Sequence, residues 1–197
     1  HSCAPALHTS IAQRTFEETH PRLKVHDLDS QPKGNEEAVN QIIASYGDLG
    51  QPLLHVKPPS IITLIPLAHN SLPLDFRLST YMPYVLASLQ TNILLSESLA
   101  ILLKAISTDQ TMLSSDISGP LLSVLPELAS GHSDAKIRHI TFRLLSKLLS
   151  RSPPPLRIST LADLTAHSEF PQMRCAAIGL VKEAVLEAFQ AGRESPW

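Results

Sequence analysis

Three imidazoles and a thiol crowd the last third of this 197-residue chain: His132, His139, His167 and Cys175. Nitrogen and thiolate donors of this kind are the ordinary ligand set of zinc. The spacing argues against that chemistry, because no Cys-x-x-Cys, His-Glu-x-x-His or His-x3-His pair occurs anywhere in the chain. Nucleophilic catalysis fares no better. Cys175 sits among Ala176, Ala177 and Gly179, a run of small side chains in which a thiol is expected to be buried and inert. The chain also lacks a Gly-x-Ser-x-Gly elbow and a glycine-rich phosphate loop. No catalytic, cofactor-binding or metal-binding residue is assigned, and the chain is expected not to be an enzyme.

The basic residues offer a different chemistry, that of recognition. From Lys136 to Arg157 the charged residues are Lys136, Arg138, Arg143, Lys147, Arg151 and Arg157, with no acid among them. Lys136, Arg143 and Lys147 share one helical face, and Arg151 continues the series. Such a stripe reads either as a solvated helix face or as a dock for an acidic protein surface. Arg138 and Arg174 form a second set, 36 residues apart in equivalent settings. Equivalent arginines one repeat apart would bond loop carbonyls or a neighbouring acid in a structural ladder, or else touch a partner directly.

Stepping outward, "GHSDAKIRHITFRLLSKLL" (131–149) superimposes on "HSEFPQMRCAAIGLVKEAV" (167–185) at that same offset. Ile137 meets Met173, Leu144 meets Leu180, Leu145 meets Val181 and Leu149 meets Val185, apolar on apolar. Both copies carry apolar residues at three- and four-residue intervals, the stripe of an amphipathic helix. Asp134 is placed to cap the first and Pro171 to open the second, where a missing N–H costs nothing. Shorter apolar segments precede each, at 119–130 and 154–168, so the unit is helix, turn, helix. One such pair cannot bury its apolar face alone, and repetition predicts an all-α fold, an irregular HEAT/armadillo-like α-solenoid of stacked helix pairs. Gly179 and its small neighbours predict close helix packing.

Upstream, helices are expected at about 4–20, 35–47, 60–69, 74–90 and 93–107, with a loop at 21–34 and with Pro66 and Pro83 kinking or shortening theirs. The domain reading is an N-terminal helix and loop at 1–34, a repeat domain at 35–192 and a tail at 193–197. A net charge of −2 gives no general attraction to nucleic acid or anionic lipid. No apolar run approaches the roughly 18 residues of a membrane span, and no basic-then-apolar leader opens the chain. Only two cysteines, Cys3 and Cys175, occur; such sparse usage fits a reducing compartment, cytoplasmic or nuclear. The start at His1 rather than methionine suggests a segment of a longer protein.

"DAKIRHITFRLL" and "PQMRCAAIGLV" resemble the second helix of a HEAT repeat, although the aspartate usual six residues before the arginine is replaced by His132 and Ser168. More particularly, "FPQMRCAAIGLVKEAVLEAF" is similar to a stretch of the glomulin and fungal YAP-binding protein family, through Pro171, Arg174, Gly179, Leu180, Lys182 and Glu183. That resemblance implies a non-catalytic adaptor whose partner is the RING subunit of a cullin ubiquitin ligase or a bZIP factor of the oxidative-stress response. The alternatives are a generic HEAT or armadillo adaptor in transport or a large assembly, and a helical regulatory segment of a larger enzyme.

Overall fold

A computed structural model describes residues 10–21, 41, 60–108 and 111–194. Among these every regular element is helical and no strand occurs, as the all-α expectation requires. The helix expected at 35–47 and the loop at 21–34 lie outside the described residues, save Pro21 and a helical Gln41. No helix among the described residues is long and apolar enough to cross a membrane. The chain divides into two units, His1–Thr108 and Asp109–Trp197. The division falls inside the 35–192 span, at the polar stretch "STDQTMLSSD".

In the first unit α1 (Ile11–Thr19) is capped by the Ser10 hydroxyl, which accepts from the Gln13 N–H. A 3-10 turn (Ile61–Thr63) leads into α2 (Leu64–His69), followed by α3 (Leu78–Thr91) and α4 (Leu95–Thr108). The last of these is the centre, touching α1, α2 and α3. Its sequence says why: Leu99, Ala100, Ile101, Leu102 and Leu103 are consecutive, so the helix is apolar on all sides, and all five are buried. Lys104 escapes the core by donating from Nζ to the carbonyls of Ala68 and Asn70 at the end of α2, a cation on a helix C-terminus. Burial there lowers its pKa, with Glu18 acting in the opposite direction. Pro66 causes no break, being the third residue of α2, where its N–H would have no helical partner. Pro83 lies inside α3, which nonetheless runs on to Thr91. Asn92 and Leu94, at φ 59° and 55°, make the tight corner into α4; asparagine tolerates this left-handed conformation, whereas leucine is strained by it.

The second unit is two helical hairpins. α5 (Ser115–Gly131) pairs with α6 (Ala135–Ser150), α7 (Pro154–Ala166) pairs with α8 (Pro171–Glu194), and α5 touches both α7 and α8. Leu121, Leu125, Leu144, Leu145 and Leu148, each at most 1% exposed, fill its core. Each buried leucine contributes about 1.5–3 kcal/mol relative to exposure. Asp134 caps α6, Oδ1 accepting from the Lys136 N–H at 2.8 Å, and Pro171 opens α8 as expected.

Among the described residues two buried hydroxyls have no hydrogen-bond partner, Ser98 Oγ in the first unit and Thr141 Oγ1 in the second, and both residues are fully buried. Thr141→Val keeps the shape and removes the unsatisfied group, so it is expected to stabilise by about 1 kcal/mol. Urea denaturation checks this; a lowered midpoint would mean that the hydroxyl is satisfied.

Candidate partner-binding surfaces

The buried face of α6, from Ile137 through Ile140, Leu144, Leu145 and Leu148, leaves the opposite face in solvent. Lys136, His139 and Arg143 are exposed there at three- and four-residue spacing, and Lys147, half-buried, extends the row by another turn. Burial, and after it the like charge of neighbours, disfavours the charged forms along the row. Burial and then the Arg143 guanidinium hold His139 below the usual imidazole range, and burial followed by Arg151 lowers Lys147. Both causes disfavour the imidazolium of His139, so the side chains that give the stripe its basic character are Lys136, Arg143 and Lys147.

Arg151 departs from the expected stripe. It is 6% exposed, and its Nε and Nη2 donate to the Thr111 carbonyl at 2.9 and 2.6 Å. α6 ends at Ser150, so the next residue no longer follows the helical face and turns inward instead. Arg157 also differs from the expectation of a run with no acid nearby: Glu187 of α8 pairs with its Nη2 at 2.6 Å. A run without acids in sequence says nothing about a helix packed alongside it.

The two equivalent arginines have different fates. Arg138 is half-buried and its Nη1 donates to the carbonyls of His132 and Ser133 at 2.6 and 3.0 Å, the loop-carbonyl role expected of a ladder residue. Position 132 thus still receives the arginine, through its backbone where an aspartate side chain would otherwise serve. Arg174 is exposed. The sharper correction concerns the small-residue run. Ala177 is fully buried and packs as expected, but Cys175 and Gly179 are exposed, and a Cβ on Gly179 would meet nothing within 4 Å. Only one face of α8 meets its neighbours, and 175 and 179 lie on the other.

The imidazoles are likewise dispersed. His132 Nδ1 accepts from the Asp134 N–H at 3.0 Å and shapes the α5–α6 turn, His139 belongs to the stripe, and His167 caps the end of α7. Among the described residues no three of His, Cys, Asp and Glu come together as a metal site.

A second surface escaped the sequence. Between α5, α7 and the turn that leads from α7 into α8 lies a groove of about 570 Å3. Buried Leu122 and Leu164 form its floor, Phe170 closes one end beside Gly131, where an added Cβ would stand 3.6 Å from its ring, and exposed Glu127, Asp163 and Glu169 stand around it. Its residues come from two separate stretches, 119–127 and 156–170, with no shared motif. The one local signal was Pro126, a proline set within an apolar helical run. Comparisons of the chain with protein-family models, with curated proteins and with solved structures found no match.

Proposed function

We propose that this chain is a non-catalytic scaffold, an irregular HEAT-like stack of helix pairs, that holds a regulatory protein partner by docking an acidic surface on α6. The observation that carries this reading is the outward row of Lys136, Arg143 and Lys147, fixed in place by a fully buried opposite face. Exposed charges on a rigid element steer encounter and set register, even where each pair adds only about 0.2–1 kcal/mol. The 36-residue repeat supports the stacking part of the reading, since both copies fold as the second helix of a hairpin. The family resemblance narrows the partner to a RING subunit of a cullin ligase or a bZIP stress factor, acting in the cytoplasm or nucleus.

Purified RING subunit and bZIP factor, each titrated against the chain, test the choice between them. Lys136→Glu combined with Arg143→Glu is the better interface variant, because both side chains are exposed whereas Lys147 is partly buried. It is expected to weaken binding about tenfold or more while leaving the melting temperature unchanged. Unchanged affinity would move the interface off α6.

A further inference from the structure

The groove beside α5 presents acceptors and no strong cation. Carboxylates of Glu127, Asp163 and Glu169 surround it, no lysine or arginine lines it, and His167 is the one basic side chain on its wall. Pro126 lies inside α5 and has no N–H to give the Leu122 carbonyl, and both residues line the groove. The floor, in contrast, is apolar. A metal ion or a small hydrophilic cation would leave that floor uncovered, and the carboxylates do not converge as ligands. A purely apolar ligand would strand the acceptors.

We propose that this groove docks a cationic amphipathic segment of a protein partner, with a leucine-sized side chain against Leu122, Leu164 and Phe170 and flanking arginines reaching Glu127 and Asp163. Arginine suits these sites because its planar fork serves carboxylate and carbonyl acceptors together. The second unit then carries two docking surfaces of opposite sign, the basic row on α6 and the acidic groove between α5 and α7. The groove does not depend on the α6 reading, and either can fail without the other.

The test uses a fluorescein-labelled helical peptide of about 14 residues built from Leu, Ala and Arg, and the same peptide with Glu in place of Arg. Fluorescence anisotropy on the full chain should show binding of the arginine peptide alone, weakening severalfold between about 0.05 and 0.3 M salt. Two groove variants probe different features. Glu127→Lys with Asp163→Lys reverses the rim and should reduce affinity about tenfold or more. Gly119→Trp should block the groove while the helix accepts it, since a Cβ there meets nothing within 4 Å. Lys136→Glu with Arg143→Glu should leave peptide binding intact, which separates this surface from the α6 row. Absence of arginine-peptide binding, equal binding of the glutamate peptide, or binding that survives either groove variant would overturn the proposal.

Discussion

Ala177→Leu is expected to lower the unfolding free energy of the second unit by about 1–3 kcal/mol, whereas Gly179→Ala, two residues on, is expected to raise it by up to about 1 kcal/mol. The contrast follows from which side of α8 each residue occupies. Ala177 is fully buried between Met173 and Leu180, themselves 3% and 5% exposed, so extra methylenes must displace packed neighbours. Gly179 faces away, with open space where a Cβ would stand, and there a side chain removes only the entropic penalty of a helical glycine. Chemical denaturation of both variants reads the difference directly. An Ala177→Leu protein as stable as the parent would refute close packing at that position, and a destabilised Gly179→Ala protein would mean that something covers the outer face.

That pair also shows how far the sequence could be followed. The helical pattern at 137–149 and 173–185 was plain because long periodic runs constrain only one face, and the caps at Asp134 and Pro171 are local chemistry. Which of two small-residue positions packs inward depends on the neighbour, and the neighbour is chosen by tertiary structure. α5 was read too short for a related reason. Its start at Ser115 lies in "SDISGP", which has loop composition, yet Ser118 is fully buried and its hydroxyl returns to the Ser114 carbonyl at 2.9 Å. Pro120 and Pro126 both sit inside the helix, each removing one backbone bond that its packing outweighs. The basic row was legible as a face of α6, but its length was not, and the groove could not be read at all. Glu127, Asp163 and Glu169 are unremarkable singly and acquire meaning only when α5 and α7 are adjacent.

Where the row ends is itself open to measurement. Arg151→Ala is expected to destabilise the second unit by about 2–3 kcal/mol, while Arg143→Ala, exposed on the same nominal face, should change stability by no more than about 0.5 kcal/mol. Arg151 joins the turn after α6 to the segment before α5 twice: its guanidinium holds the Thr111 carbonyl, and its own carbonyl accepts from the Leu113 N–H at 2.9 Å. Truncation to alanine removes the charge-assisted bonds and the packing of the aliphatic stem together. Arg151→Met separates the two, keeping much of the stem and losing only the bonds, and should fall between alanine and the parent. Arg151→Lys retains the charge without the planar fork and should also lose part of the stability. If the alanine variant melts like the parent, the turn is held by packing alone. If it folds normally but loses partner affinity, Arg151 belongs to the binding row after all.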